Sequence, residues 1–341
     1  MQVTRAPRWP TVLLALGLMF MMVSAAGLVA VKSLLHRYES SMDHEILLAP
    51  EARDASPSHV GAWRHDGEPL NFLLIGSDLR ASNPDAGQRS DTIIVVQINR
   101  QRNGAHLVSI PRDLLVDIPE FAPTEFYGGR EKINAAFQFG GGSTGGVQLL
   151  SATLAQLTGV KFDGAAVIDF RGLERVIDML GGVRVCVDTE VTSIHTRHIF
   201  PLGCQVFSGA EALDYSRQRY GLENGDYDRQ RHNQQLIKAI FGTALSQGIA
   251  YNPVKLDQFI RILGDSLTVD TGGASVSDVV LALRSLRPDA LVGVTVPSYP
   301  EMIGDESFVV MNEETPALFY ALRSGALNEW AAVNPQWVHP L

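Results

Sequence analysis

The chain has 341 residues, a net charge of −9, 45% hydrophobic and 19% charged residues. That acidic balance argues against a nucleic-acid partner, which needs a basic footprint to displace counterions. Two cysteines, Cys186 and Cys204, are too few for a cysteine-rich metal site, and the length has room for one large domain or two modest ones.

Residues 1–10 carry Arg5 and Arg8 and precede an uncharged run, 11–31, that is long enough to span a bilayer. Ser24-Ala25-Ala26 resembles a signal-peptide cleavage site, but the apolar run continues to Val31 and favours an uncleaved anchor. Lysines and arginines balance across the span and do not orient it. An N-terminal anchor ahead of a large domain with a possible disulfide favours a cytoplasmic N-terminus (1–10), one transmembrane helix (11–31) and an extracytoplasmic domain. Residues 32–69 are mixed and polar and read as a helical extension followed by a juxtamembrane tether. His36, His44, His59 and His65 are scattered through it without ligand spacing and read as solvated.

Residues 71–75 predict a short buried strand ending in Gly76-Ser77-Asp78-Leu79-Arg80. After a Pro/Asn/Gly-rich loop, Arg89-Ser90-Asp91 leads into a strand over 92–99. Asn103-Gly104 is a hairpin signal, and a third strand, 105–110, ends in Pro111-Arg112-Asp113. With the second and third strands antiparallel, Asp78, Asp91 and Arg112 fall at one sheet edge. Any one of them alone would read as turn chemistry.

Residues 120–146 read as a long loop with a short helix start at 132–136. The glycine run 140–146 contains G-x-S-x-G, but no strand pattern precedes it as a nucleophile elbow requires, so it reads as a mobile flap or a helix-entry turn. It is not a phosphate-binding P-loop, because no Gly-Lys-Ser/Thr follows. Helix 147–157, strand 164–170, helix 172–180 and strand 183–187 then alternate, which predicts an α/β domain with a layered sheet and helices. Cys186 and Cys204 close a loop small enough to bridge: outside the membrane a disulfide is the default, in the cytosol two thiols. His195 and His198 inside that loop have no further ligand nearby and read as surface side chains.

In 208–238 the spacing Ser208-x-x-Glu211 is a capping box and predicts a short helix over 209–214. Arg217 and Arg219 follow, two apart, pointing to one side of an extended segment. On a second helix, reaching about 247, Asp226, Arg229 and Asn233 share a face. Arginine forks suit phosphate oxygens. A surface ion-pair network among Arg217, Arg219, Asp226 and Asp228 would use the same residues. Helices are predicted at 253–264, 276–287 and 315–323 and a strand at 291–297, while 324–341 shows little pattern.

Three blocks stand out together: Gly76-Ser77-Asp78-x-Arg80 with Arg89-Ser90-Asp91-Thr92; Ser109-Ile110-Pro111-Arg112-Asp113; and Arg217-x-Arg219 with Asp226-x-x-Arg229 and Asn233-Gln234. With the apolar N-terminal run, the chain resembles the LytR-CpsA-Psr family of bacterial cell-wall proteins over roughly 70–245, and more weakly to about 300. Its cysteine pair is similar to that of actinobacterial members, which implies a Cys186–Cys204 disulfide. The resemblance implies an α/β domain (70–300, with a C-terminal tail 301–341) built on a central mixed β-sheet flanked by helices, outside the cytoplasmic membrane. It also implies transfer of a teichoic acid, capsule or arabinogalactan polymer from a polyprenyl-pyrophosphate carrier to peptidoglycan, with the 6-hydroxyl of N-acetylmuramic acid as the expected acceptor.

By the same resemblance Asp78 and Asp91 hold Mg2+, Arg89, Arg112, Arg217 and Arg219 grip the pyrophosphate, and Asp226 and Arg229 orient them. Arg229, Asn233 and Gln234 complete the pyrophosphate set, and Arg112, Asp113 and Asp226 the catalytic one, with Asp113 and Asp226 as candidate bases. The family usually has glutamine at Asn233 and arginine at His232; the shorter asparagine implies a water-mediated reach. Helices 147–157 and 172–180 with one sheet face are the expected walls of a lipid groove. Two rival readings use the same residues: a membrane-anchored polyprenyl-pyrophosphate pyrophosphatase, and a non-catalytic lipid sensor or transcription attenuator.

Overall fold

The computed structural model describes residues 45–53, 67–77, 90–252, 255–256, 258–259, 267–274, 279 and 283–341. The apolar run 11–31, the four tether histidines, Asp78, Arg80, Arg89 and most of the helices expected at 253–264 and 276–287 lie outside these residues. Among the described residues no helix is long and apolar enough to cross a membrane.

Strands β1 (Leu70–Ser77), β2 (Ser90–Ile98) and β3 (Ala105–Ser109) come first, then a hairpin of β4 (Leu115–Ile118) and β5 (Gly129–Lys132). Helices α1 (Ala135–Phe139) and α2 (Ser143–Thr158) lead to β6 (Gly164–Asp169) and α3 (Phe170–Met179). A small hairpin region follows: β7 (Val183–Val187), β8 (Val191–Thr192), β9 (Ile199–Phe200) and β10 (Gly203–Phe207). Helices α4 (Gly209–Arg217) and α5 (Asp226–Ser246) precede β11 (Leu267–Asp270) and β12 (Leu291–Thr295). The chain finishes with the hairpin β13 (Ser298–Ile303) and β14 (Glu306–Met311), helices α6 (Thr315–Ser324) and α7 (Leu327–Val333), and β15 (Val338–Pro340).

The main sheet has the order β11-β6-β1-β2-β3-β12-β15. β1 pairs parallel to β6 and β3 parallel to β12, while the other neighbours run antiparallel. The expected central mixed sheet flanked by helices is therefore present. Its middle strands are covered on both faces, which is why β2 reads as a near-continuous aliphatic run. Ile93 and Val95 face a core made with Leu150 and Leu154 of α2 and Leu318 and Leu322 of α6. Ile94 and Ile98 face the other side, against Ile237 and Phe241 of α5. A satellite core joins α3, β7, β10 and α4 to Leu236 of α5 through Ile177, Val185, Phe207 and Tyr215. The disulfide Cys186–Cys204 bridges directly opposed residues of β7 and β10.

Several boundaries differ from those read off the sequence. Residues 120–146 are not a long loop: β5, which is polar, pairs with the apolar β4, and Phe126 stacks on Phe139 at 4.5 Å. A strand of Gly-Arg-Glu-Lys has no alternation to announce it; its partner supplies the apolar side. The glycine run is a helix-entry turn rather than a flap. A Cβ on Gly140 would stand 2.3 Å from the Gly145 carbonyl oxygen, and one on Gly146 2.5 Å from that of Phe137, so α1 and α2 touch backbone to backbone. The expected tether is folded at its end: Leu47 and Leu48 are buried in the main core, and their amides donate to Asp270. The patternless tail contributes Leu327 and Trp330 to the same core, and β15 closes the sheet edge beside β12.

Candidate functional site

The capping box forms as expected: the Ser208 amide donates to Glu211 Oε2 at 2.8 Å, and Ser208 Oγ accepts from the Glu211 amide. The helix it starts runs to Arg217, three residues beyond the predicted end, so Arg217 and Arg219 do not share an extended segment. The chain turns extended at Gln218, which is fully buried and donates to Asp214 and to Ser193 Oγ. Its side-chain oxygen accepts the Ile194 amide at 3.1 Å, which fastens the β8–β9 turn over the site. Arg217 lies 5.3 Å from the Phe170 ring and Arg219 4.7 Å from that of Tyr220, both cation–π distances. Neither pairs with a carboxylate among the described residues. The surface network with Asp226 and Asp228 is therefore absent, and Asp228 binds Asn224 and Arg231 instead.

Arg112, three residues beyond β3, places Nη1 2.6 Å from Asp91 Oδ1, with Nε 3.5 Å from Asp226 and 3.6 Å from Asp113. Burial works against its charge, but Asp113, Asp226 and Asp91 together outweigh that and raise its pKa, so it stays cationic. Its Nε is buried without a hydrogen-bond partner, an unmet donor at the site. Arg229 forks onto Asp226 Oδ1 (2.8 and 3.0 Å) and donates to the Asp91 carbonyl at 2.8 Å. Asp226 thus orients two arginines at once.

These groups stand at a cavity of about 440 Å3 between the sheet and helices α3, α4 and α5. Arg112, Arg217, Arg219, Arg229, Asp91 and Asn233 line it. Much of the remaining wall is aliphatic: Leu74, Ile94 and Ile168 from the sheet, Leu173 from α3, and Leu236, Ile237 and Ile240 from α5, with Asp169 as a second carboxylate. A further apolar cavity of about 330 Å3 shares Ile237 and Ile240 with it. The expected wall at 172–180 is present through Leu173, but α2 lies on the opposite sheet face and contributes nothing. A cavity lined by both arginines and aliphatic side chains suits a molecule with an anionic head and a hydrocarbon tail.

Three expected site residues stand elsewhere. Gln234 is fully buried on the sheet side of α5, where Nε2 donates to the Leu107 carbonyl, Ser109 Oγ and the Val294 carbonyl at 2.8–3.0 Å. It cannot reach a ligand; it fastens the helix between β3 and β12, where glycine at 293 leaves room for its Oε1. Its neighbour Asn233, about 100° around the helix, does line the cavity and donates to Thr92 Oγ1 at 3.1 Å. Asp113 and Asp226 do not line the cavity; they stand behind Arg112. His232, where the family usually has arginine, is buried and stacks on Tyr215 at 4.0 Å, and burial beside Arg231 lowers its pKa to about 4.

Asp91 is the described member of the expected magnesium pair. One oxygen is taken by Arg112, and among the described residues no three His, Cys, Asp or Glu side chains are grouped to hold a metal. Even a single carboxylate lining the cavity would fit magnesium, which is commonly held by one or two carboxylates together with phosphates and water.

Phe170, Ile194, Tyr220 and the Leu236-Ile237-Ile240 stripe line the cavity without having been singled out in the sequence. The stripe had a signal: α5 changes from charged to aliphatic after Gln235. His195, expected as a surface side chain, is exposed and lines the cavity.

Residues 33–324 match the LytR_cpsA_psr family. Over 241 residues the chain is 33% identical to the probable cell wall biosynthesis protein LcpB of Corynebacterium glutamicum, covering 67% of this chain and 54% of LcpB. It is 30% identical over 230 residues to the polyisoprenyl-teichoic acid–peptidoglycan teichoic acid transferase TagU of Enterococcus faecalis, covering 66% of this chain and 71% of TagU. The matched region thus spans only about half the length of LcpB. Among solved structures, TagT bound to LI-WTA shares the fold, with a TM-score of 0.61 and 21% identity over 84% of this chain and 99% of that one. A match over most of its length places this chain in the LytR_cpsA_psr family.

Proposed function

We propose that this protein is a phosphotransferase that moves a glycopolymer from a polyprenyl-pyrophosphate carrier to peptidoglycan. The observation that carries the reading is one cavity lined by four arginines and by a broad aliphatic surface. A pyrophosphate diester brings two negative charges and a long hydrocarbon tail. Arg217 and Arg219, free of carboxylate partners among the described residues, are available to the phosphate oxygens. Arg112 and Arg229 are held in place by Asp226. The relatives' names, cell wall biosynthesis protein and teichoic acid transferase, agree with this class of reaction.

In the proposed step an acceptor hydroxyl, expected to be the 6-hydroxyl of N-acetylmuramic acid, attacks the phosphorus next to the glycan. A new P–O bond forms and the bridging P–O bond breaks, releasing polyprenyl phosphate. The arginines stabilise the charge that gathers on this leaving group, the main service phosphoryl transfer asks of a protein. The hydroxyl proton passes to a carboxylate. Neither expected base lines the cavity, so the proton reaches one of them only through an intervening water. Asp226 is committed to Arg229 through two contacts of 3.0 Å or less, whereas Asp113 touches Arg112 only at 3.6 Å and is the freer of the two. Magnesium, held by Asp91 with Asp78, would add charge neutralisation at the phosphates. The apolar run 11–31 would anchor the chain to the cytoplasmic membrane that carries the donor.

The test incubates the chain with a synthetic polyprenyl-pyrophosphate-linked disaccharide and a peptidoglycan oligomer, with and without magnesium, followed by mass spectrometry. A phosphodiester-joined product, lost in Asp91→Ala and Arg112→Ala, is expected. Free sugar phosphate without joined product would make the protein a pyrophosphatase, and normal transfer by Arg112→Ala would remove the arginine site from the chemistry.

A further inference from the structure

A second cavity, of about 310 Å3, lies on the opposite flank of α5 from the arginines. Tyr227, Asp228 and Arg231 line it from the start of α5, Thr295 from the end of β12, and Trp337 and His339 from the C-terminal segment. The helical period separates the two sites: Asp226, Arg229 and Asn233 share one face, and Tyr227, Asp228 and Arg231 the other. Both sites include residues at one sheet edge, Asp91 and Arg112 in the first and Thr295 in the second. Thr295 lies beside Ser109 in the parallel pairing of β12 and β3, and Arg112 follows three residues later. At about 4.8 Å per strand, the floor of the second cavity is within about 10 Å of the end of β3.

Its chemistry differs from that of the arginine site. Arg231 pairs with Asp188 at 3.3 Å and with Asp228 at 3.5 Å, so its positive charge is already answered. His339 hydrogen-bonds Thr295 Oγ1 at 3.1 Å, and burial, followed by Arg231, lowers its pKa, so it adds no charge near neutrality. Arg231 Nε is buried with no hydrogen-bond partner, and the Asn224 amide stands at the exposed rim. The Trp337 ring is fixed by its Nε1, which donates to Glu314. An anionic phosphate gains little from balanced charge. A ligand with many hydroxyls and apolar ring faces matches fixed aromatic rings, a spare donor and uncharged hydrogen-bonding groups.

We propose that this cavity binds an uncharged saccharide segment of the acceptor glycan and holds it along the sheet edge beside the arginine site. The acceptor role rests on the transferase reading above. The C-terminal segment, through Trp337 and His339, is then part of substrate recognition.

The test measures binding of two probes to the full chain in detergent by calorimetry: chitotetraose, an uncharged N-acetylglucosamine oligomer, and farnesyl pyrophosphate as a donor mimic. Wild type is expected to bind both without competition between them. Asn224→Ala and Trp337→Phe, the second chosen to keep the ring packed against the core, should weaken chitotetraose at least about tenfold and leave farnesyl pyrophosphate unchanged. No chitotetraose binding at millimolar concentration, or binding indifferent to both variants, overturns the saccharide site. Chitotetraose binding that responds to the variants, in a protein that ignores farnesyl pyrophosphate, upholds the site and overturns the donor reading instead.

Discussion

Gln234→Ala separates two roles that the sequence could not separate. The family motif places Gln234 with the ligand-binding residues, whereas in the structure it donates to the Leu107 carbonyl, Ser109 Oγ and the Val294 carbonyl with no exposed surface. Truncation removes these contacts and leaves buried acceptors short of a partner. At about 1 kcal/mol net per hydrogen bond, with two donor hydrogens serving the three acceptors, the loss is about 2 kcal/mol. The cavity left behind adds roughly 1 kcal/mol. The expected outcome is therefore about 3 kcal/mol of lost stability, read as a lower urea midpoint at unchanged m-value. The donor-mimic affinity of the folded fraction should stay within about threefold, a change of less than 1 kcal/mol. An unchanged midpoint with affinity lost more than about tenfold would put Gln234 on the ligand and refute the structural assignment.

Three other outcomes follow from the same geometry. Arg217→Ala and Arg219→Ala each remove charge-assisted bonds to phosphate and should weaken farnesyl pyrophosphate by roughly tenfold to a hundredfold with little change in melting temperature; wild-type affinity in both would take them out of the site. His106 and His232 are buried with pKa values lowered to about 4, so below 6.5 the unfolded chain binds protons that the folded chain refuses. Stability should be flat above about pH 6.5 and fall by about 4 kcal/mol for the two together by about pH 5; urea midpoints across that window check the sign. Reduction of Cys186–Cys204, which closes a loop of sequence separation 18, should cost about 3 kcal/mol, measured by thermal unfolding with and without reductant.

Sequence determined much of this protein. Aliphatic runs at 92–98 and 105–109, each covered on both faces, could only be central strands, and their Asp and Arg termini marked one edge as the site. The capping box and the i, i+3, i+7 stripe on α5 placed Arg229 and Asn233 correctly, because helix period alone decides which residues share a face. Local pattern is silent where the deciding partner is distant. β5 is a strand only because β4 pairs with it, and β15 only because β12 offers an edge. The segment 45–53 is folded because Asp270, more than two hundred residues away, accepts its amides. Asn233 and Gln234 are adjacent polar amides, yet tertiary packing points one into the cavity and the other into the sheet. Which side of α5 met the arginines, and which met the C-terminal segment to form a second cavity, was settled by packing against the sheet.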